Sequence, residues 1–470
     1  MTEFGGSDIA NITLLSPVAL GLTIIAGILI LSLPRRYALI PLLVITCYIT
    51  LGQRLVIGGL DFTMMRLLIM VGWLRIFVKG ENYPFQWNQM DTVIVVWMVV
   101  KAIAFTLLWG TVGAFIQRLG NSLDVLGFYF LCRYMITDLE DIKTILFTIP
   151  LILLPLAVFM FIEKGSGRNL FSVFGGVPEM TSVRYGKVRA QGPFRHAILA
   201  GTMGAIFFPI CIAMTFQKGK WIWVGILGAL SSMVIVYSSS SSGPLLALMS
   251  TFVGLGYWFL RDYTRHTRWF ILGTLVILHM VMKAPVWFLF AKIADLTGGT
   301  GWHRSYLIDR AIANFWSWAA VGTRSTANWG YYLFDVTNGY LTEGVDGGIL
   351  TMFLFILLIS VAFKFVGMTV QALNGFPFDL RFLIWSLGVS MLAHAVSLLS
   401  VSFFDQSNAF WILDLVMIAP LISLVYIRID HTRVMPARVA AEMEKSEELP
   451  EELLQPVYRI VKPDVGAFTG

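Results

Sequence analysis

Long apolar runs separated by short polar gaps recur along almost the whole chain of 470 residues, and they constrain its fold more than any other feature. Many of them are about twenty residues long, the length that an α-helix needs to cross the hydrocarbon core of a bilayer. Only 13% of the residues are charged, against about 25% in a typical soluble domain. Strict alternation of apolar and polar residues, which would indicate a membrane β-barrel, is absent. The sequence therefore predicts an all-α, polytopic helical membrane protein.

Hydropathy predicts twelve to thirteen transmembrane helices, and the second and fifth are the shortest or most polar. The thirteen predicted spans cover residues 14–33, 38–52, 62–78, 91–109, 121–136, 143–162, 196–216, 221–237, 243–260, 269–290, 346–366, 380–402 and 409–428. Under this assignment the arginines and lysines of the short loops fall on one side, which the positive-inside rule identifies as the cytoplasm. The N-terminus and two long loops, 163–195 and 291–345, then face outward.

The chain is predicted to have two regions, a transmembrane domain of residues 1–428 and a cytoplasmic tail of residues 429–470. Glutamates crowd into the tail around Pro450, a composition typical of a partly helical or disordered segment. The three cysteines lie far apart in apolar stretches and predict neither a disulfide framework nor a metal site. The net charge of +6 is spread over many loops, so it does not indicate a nucleic-acid partner.

Two arginine-bearing stretches lie in the two long outer loops, at 189–196 and 302–310. Guanidinium groups are costly near a bilayer, and their planar fork makes paired, charge-assisted hydrogen bonds to phosphate oxygens. We therefore predict that a lipid-linked pyrophosphate is bound by Arg189, Arg195, Arg304 and Arg310. Two simpler explanations stay open at this point: a solvated basic loop, and an amphipathic helix over 302–318 that lies on the bilayer.

Candidates for acid–base chemistry occur close to the second arginine stretch. The motifs of soluble nucleotide-binding, serine-nucleophile and zinc enzymes are missing, and no acidic pair predicts a divalent-metal site, so no cofactor is expected. Asp335 and Glu343 are the acidic residues best placed at the membrane edge to act as a general base, although both could equally cap a helix or form a turn. The hydroxyls of residues 238–242 could contact sugar or phosphate, or satisfy the backbone at a helix break.

The order of these motifs resembles the O-antigen ligase/O-antigen polymerase superfamily of bacterial envelope glycosyltransferases. An Arg-x-x-Gly-x-Phe-x-His stretch at 189–196 precedes a Ser-rich break, and then a large loop has an Arg-led helix and an Asn-x-Tyr-Leu return into the membrane at Asn338. The similarity covers roughly residues 185–370. It implies a metal-independent, membrane-embedded glycosyltransferase of the C type, which acts at the periplasmic face of the bacterial inner membrane on a glycan linked to undecaprenyl diphosphate.

Residue by residue, the resemblance assigns the donor pyrophosphate to Arg189 and Arg304. It places Asn338 and Tyr340 in a third element of the site, and Glu343 at its edge. Membrane lipids are expected neighbours, and a flippase and a chain-length regulator are expected partners by analogy with the family. A departure from the family pattern concerns the residue directly before the asparagine.

Ligases of this superfamily usually have a histidine at that position, where this chain has Thr337. Asp335 or His303 would then act as the base. The sequence around Asp335 resembles the exopolysaccharide polymerase-like members more closely. We therefore expect a polymerase of a cell-surface polysaccharide, with a ligase that transfers glycan to lipid A core or protein as the alternative. A transporter or flippase of the same lipid-linked glycan is the alternative from another class.

Overall fold

The computed structural model describes residues 13, 15–50, 52–57, 60–81, 86–289, 291–292, 301–423 and 425. The predicted cytoplasmic tail, residues 429–470, lies outside the described residues, as do the first twelve residues of the chain. Within the described part, the chain folds into a bundle of helices with two short β-hairpins.

In chain order the helices are α1 Pro17–Ser32, α2 Leu39–Tyr48, α3 Met64–Lys79, α4 Gln89–Trp109, α5 Val112–Ser122, α6 Phe128–Met135, α7 Leu139–Ser166, α8 Ala197–Met214, α9 Trp221–Ser239, α10 Ser242–Gly256, α11 Thr264–Val281, α12 Gly301–Ala313, α13 Phe315–Trp318, α14 Gly339–Ala372, α15 Phe378–Leu398 and α16 Gln406–Ile418. A π-helical segment, Leu123–Gly127, joins α5 to α6.

Both hairpins are antiparallel and two-stranded. β1 (Arg54–Ile57) pairs with β2 (Leu60–Thr63), and β3 (Val183–Arg184) pairs with β4 (Lys187–Val188).

Eight helical segments of the described residues are long and apolar enough to cross a membrane. They are Gln89–Trp109, Leu139–Ser166, Ala197–Met214, Trp221–Ser239, Ser242–Val281, Gly339–Ala372, Phe378–Leu398 and Gln406–Ser423. The predicted spans at 14–33, 38–52, 62–78 and 121–136 correspond to helices of 16 residues or fewer. The prediction of an all-α, polytopic membrane protein is confirmed.

Helix α8 lies at the centre of the bundle, and 16 of its 18 residues are buried. Its small residues allow the neighbouring backbones to approach closely, as is common where helices pack in membranes. A Cβ atom at Gly201 would clash with Ser239 and Pro244, and one at Gly204 would clash with the carbonyl of Ser232. Close packing around α8 therefore fixes the positions of α9 and α10, whose junction forms part of the site described below.

Helix α14 is interrupted at Gly348, where φ is 80° and ψ is −179°. The preceding chain passes against this break: Ile349 N donates to the Ala319 carbonyl (2.8 Å) and Thr323 N donates to the Val345 carbonyl (2.9 Å). Freed backbone groups are tolerated at membrane depth only where protein or water satisfies them. These hydrogen bonds pair the backbone groups that the break leaves without helical partners, and they hold residues 319–323 beside the first part of α14.

One end of the bundle, which we call the loop end, carries residues 167–196 and 301–338 across the termini of several helices. Lys164 Nζ, near the end of α7, donates to Ser240 Oγ (2.5 Å) at the α9–α10 junction. Gln406 Nε2, at the start of α16, donates to the Pro193 carbonyl (3.2 Å) just before α8. Asn338 Nδ2 donates to the Leu399 carbonyl (3.4 Å) at the end of α15. The two predicted loops therefore meet at the same end.

Candidate functional site

A buried carboxylate organises the first loop. Glu163, which is 1% exposed, accepts hydrogen bonds from Thr181 Oγ1 (3.0 Å), Gln191 N (3.0 Å) and Gly192 N (2.8 Å). Asn169 Nδ2 donates to the Gly192 carbonyl (2.8 Å) from the other side. Because these buried polar groups are hydrogen-bonded to one another, the loop has a defined structure and is not simply a solvated connection between helices.

The β3–β4 hairpin positions a cation that we did not single out from the sequence. Tyr185 and Gly186 have φ values of 51° and 72°, the left-handed pair that a two-residue type I′ turn requires. The turn places Arg184 at the end of β3, and Arg189 N donates to the Ser182 carbonyl (3.0 Å) directly after β4. Arg184 is exposed and acts electrostatically on both Arg189 and Arg304.

Arg189 and Arg304 converge on the junction between α9 and α10. Arg189 Nη2 donates to Ser241 Oγ (2.9 Å), the residue that precedes α10. Arg304 Nη2 lies 3.9 Å from the position that a Cβ atom at Gly243 would take. The first backbone N–H groups of a helix lack intrahelical partners and carry partial positive charge, so this end favours anions. The three arginines Arg184, Arg189 and Arg304 together with Ser241 are called the arginine cluster below.

Within the described part of the chain, the positive charge of the cluster has no matching carboxylate. Elsewhere in the bundle, Arg66, Arg75, Arg118 and Arg133 each form an ion pair with an acidic side chain. Among the described residues, no ion pair joins a carboxylate to an arginine of the cluster, and the Nε atoms of Arg189 and Arg304 are buried without a hydrogen-bond partner. Burial, and then Arg184, lower the pKa of both guanidinium groups. An anion with several oxygen atoms would satisfy these donors.

Two groups capable of proton transfer lie beside the cluster. His196 directly precedes α8, and Asp335 is exposed on the second loop, close enough to influence the histidine electrostatically. Burial and Arg195 lower the pKa of His196, Asp335 raises it, and Arg189 lowers it. The net shift is downward, so the imidazole is neutral at pH 7 and can accept a proton. The predicted base Asp335 therefore lies near the predicted anion site.

The other predicted arginines and His303 have different surroundings. Arg195 is exposed, with its guanidinium 5.6 Å from the ring centre of Phe404. Arg310 stacks over Tyr306 at 5.1 Å, on the same helix, and its Nε atom is buried without a partner. His303 is partly exposed near the start of α12. The structure gives none of these three side chains a contact with Ser241 or Gly243.

Glu343 lies apart from the arginine cluster. Its carboxylate accepts from Lys101 Nζ (2.6 Å) and from Trp97 Nε1 (2.9 Å), both on α4. Because α14 begins at Gly339, Glu343 lies within its first turns and points to a neighbouring helix. Both oxygens of the Glu343 carboxylate therefore accept hydrogen bonds from α4 and not from the arginine cluster.

Asn338 and Tyr340 use their polar groups inside the fold. Asn338 caps α14, since its side-chain oxygen accepts from Leu341 N (3.1 Å). Tyr340 Oη donates to the Ala395 carbonyl (2.9 Å). Both side chains fasten the start of α14 to the end of α15, and neither donates a hydrogen bond to the cluster.

Sequence reasoning identified Arg189 and Arg304 but not Arg184, His196 or Ser241 as individual site residues. The signal for Arg184 was the Tyr-Gly pair between Val183 and Val188, which is typical of a two-residue hairpin turn. Within the described residues, no group of three or more His, Cys, Asp or Glu side chains could hold a metal ion.

No family model matches this chain, and no curated protein resembles it significantly.

Proposed function

We propose that this chain is a polymerase of a cell-surface polysaccharide in the bacterial inner membrane. The loop end would face the periplasm, with the predicted outer loops 163–195 and 291–345 forming a C-type glycosyltransferase face above twelve to thirteen spans. The donor is a glycan on undecaprenyl diphosphate and the acceptor is a second lipid-linked glycan. The observation that carries the proposal is the arginine cluster. Its three guanidinium groups have no carboxylate partner among the described residues, and those of Arg189 and Arg304 meet at the start of α10.

The arginine cluster suits the leaving group of this reaction. The bond between the donor sugar and the diphosphate oxygen breaks, and its electron pair leaves with the diphosphate. Arg189 and Arg304 are already held in place before negative charge develops, as electrostatic stabilisation of a transition state requires. Arg184 adds a third positive charge from the hairpin. The cluster's own cations would neutralise the leaving diphosphate, in agreement with a metal-independent transfer.

Deprotonation of the acceptor hydroxyl falls to the groups beside the cluster. The hydroxyl oxygen forms the new bond to the donor sugar, and its proton passes to Asp335, whose charge acts on His196. His303 is the second candidate for this role. Substituting it in the reconstitution assay described below tests that role. Glu343 has no part in the proposed mechanism because Lys101 and Trp97 hold its carboxylate.

The test is reconstitution of the purified protein with a short undecaprenyl-diphosphate-linked repeat, with gel analysis of glycan length. We expect a ladder of products from the unchanged protein. Arg304→Lys keeps the charge but loses the planar fork, and we expect the rate to fall by about a hundredfold or more. Arg168→Lys is a matched control in the same loop region, since Arg168 pairs with Glu179 at the surface.

The products decide between the candidate functions. A ladder that persists at full rate in Arg304→Lys and Arg189→Lys would contradict the assignment of the cluster to the donor. Glycan found on added lipid A core or protein, with no ladder, would identify a ligase. Movement of intact donor across the membrane without any new bond would identify a transporter.

A further inference from the structure

A cavity of about 390 Å³ lies near the starts of α14 and α16. It is lined by residues of the β1–β2 hairpin, α4, α5, the start of α14 and the start of α16. Asn121, Asp405 and Asn408 are among its polar lining residues, and Trp97, Phe403 and Trp411 are among its aromatic ones. The volume falls in the range of about 300–1,000 Å³ that is usual for small-molecule sites.

The charged side chains of the cavity wall neutralise one another. The wall cation Lys101 pairs with Glu343 (2.6 Å) and the wall cation Arg118 with Asp346 (2.9 Å), while the wall carboxylate Asp124 pairs with Arg66 (2.6 Å), which does not line the cavity. Since each wall cation already has its carboxylate, the cavity lacks the uncompensated positive charge of the arginine cluster. It therefore suits an uncharged ligand and not a second diphosphate.

Asp405 is the exception in this wall. Its carboxylate has no hydrogen bond or ion pair with the described residues, and its backbone has φ 57° and ψ −126°, a conformation that L residues rarely adopt. Backbone strain of this kind persists where the surroundings impose it, often at functional sites. Burial raises the pKa of Asp405 to about 7, with Arg195 lowering it and Asp124 raising it.

A single loop, residues 399–405, separates the cavity from the arginine cluster. Ser400 lies against Gly243 and thus next to Arg304 on one side. Ser402 shares a hydrogen bond with Thr342 (2.6 Å), and both residues line the cavity on the other side. A ligand in the cavity would therefore lie within reach of a donor held at the cluster.

We propose that this cavity binds an uncharged, hydroxyl-rich ligand, the sugar end of the acceptor, and that Asp405 accepts a hydrogen bond from one of its hydroxyl groups. The identification of the ligand as the acceptor rests on the proposed function. Amide and carboxylate groups supply donors and acceptors for hydroxyls, while the indole and phenyl faces pack against the apolar faces of a sugar ring.

The test uses a cysteine in the cavity as a reporter. The three native cysteines are buried, so a membrane-impermeant methanethiosulfonate reagent should react mainly with the introduced thiol of Asn408→Cys. The probe is neutral oligosaccharide released by mild acid from the surface polysaccharide of the source bacterium. We expect saturating oligosaccharide to protect the thiol in lipid nanodiscs. Asp405→Asn keeps an acceptor oxygen but removes the negative charge. At pH 8, above the pKa of about 7 for Asp405, it should raise the concentration needed for protection about tenfold, because a hydrogen bond to a carboxylate is stronger than one to an amide.

Binding of undecaprenyl diphosphate, which has no sugar, is measured on the same variants and separates the two proposals. We expect Asp405→Asn to bind it normally, which also shows that the variant is folded. No protection by oligosaccharide in protein that binds undecaprenyl diphosphate would overturn the cavity proposal and leave the proposed function standing. Protection without any binding of undecaprenyl diphosphate would overturn the donor site and keep the sugar site. Protection by undecaprenyl diphosphate itself would show that the cavity holds a lipid chain, and would also overturn the cavity proposal.

Discussion

Arg304 is 7% exposed, and its guanidinium group has no acidic partner among the described residues. Desolvating a charge without pairing it costs several kcal/mol, and for that reason buried arginines normally meet carboxylates, as Arg133 meets Asp91 at 3.0 Å. Retaining such a group at the loop end is explained most simply if an anion from outside the chain completes its hydrogen bonds. The individual side chain thus leads to the same conclusion as the whole cluster.

His196 allows a prediction about pH at the residue scale. Its pKa lies below the ordinary 6.5, because burial and the nearby arginines outweigh Asp335. Removing the carboxylate in Asp335→Asn should lower the pKa of His196 further, and removing a cation in Arg189→Gln should raise it. Diethyl pyrocarbonate modifies only neutral imidazole, so the pH midpoint of modification at His196, followed by peptide mass spectrometry, measures both shifts.

The exposed His266 is the internal control, and its modification profile should be the same in all three proteins. Identical midpoints for His196 in the unchanged protein and in Asp335→Asn would show that the carboxylate does not act on the imidazole. The proposed pairing of base and histidine would then be wrong.

At this scale the sequence predicted some residues of the site and missed others for a physical reason. Arg189 and Arg304 were predictable because an arginine at a membrane edge is costly whatever the tertiary structure. Arg184 and Asp405 were not, because their importance comes from neighbours distant in sequence. Asp405 follows two phenylalanines in a short loop, and nothing in that pattern indicates its backbone conformation or its position on a cavity.

The break in α14 gives a prediction at the scale of a single element. Gly348 has φ 80°, and a Cβ atom there would clash with the carbonyls of Ala319 and Ala320. A positive φ combined with a ψ near 180° is open essentially to glycine alone and costs an L residue about 1–3 kcal/mol. We therefore expect Gly348→Ala to lower the free energy of unfolding by at least about 2 kcal/mol, as measured by unfolding in mixed micelles with increasing SDS.

Gly367 in the same helix is the matched control. A Cβ atom there has no neighbour within 4 Å, and its backbone lies inside a regular helix. Gly367→Ala should leave stability unchanged or raise it by up to about 1 kcal/mol, because alanine favours the helix. Equal stabilities for the two alanine variants would contradict the role assigned to the break.

Element boundaries show where hydropathy succeeds and where it fails. The apolar part of α14 was predicted at 346–366, but the helix begins seven residues earlier, at Gly339. Its first turns contain Glu343 and Asp346, which look unfavourable for a membrane helix until Lys101 and Arg118 pair with them. A method that scores each residue alone cannot include a partner about 230 to 240 positions away.

For the whole molecule, the orientation of the bundle is open to a direct test. The proposed function requires the loop end to face the periplasm, whereas the loop between α8 and α9 would face the cytoplasm. In intact cells, we expect a membrane-impermeant maleimide to label Lys187→Cys in the β3–β4 hairpin and not Lys218→Cys. Both positions are exposed, and the native cysteines are buried and free.

Labelling of inverted membrane vesicles should give the opposite pattern, which shows that each thiol can react. If Lys218→Cys were labelled in intact cells and Lys187→Cys were not, the orientation and the periplasmic reaction would both be wrong.

The arginines of the cluster have no carboxylate partner among the described residues, and this also changes how ligand binding at the loop end should be understood. Buried cations attract counterions from the medium and from lipid headgroups, and such ions would occupy the arginine cluster in the absence of a ligand. Under the proposed function, a lipid-linked diphosphate would therefore arrive by exchange with a resident anion and not by filling a bare pocket. Its apparent affinity is the difference between two anion affinities, and the buffer in which the protein is studied becomes a competitor for the site.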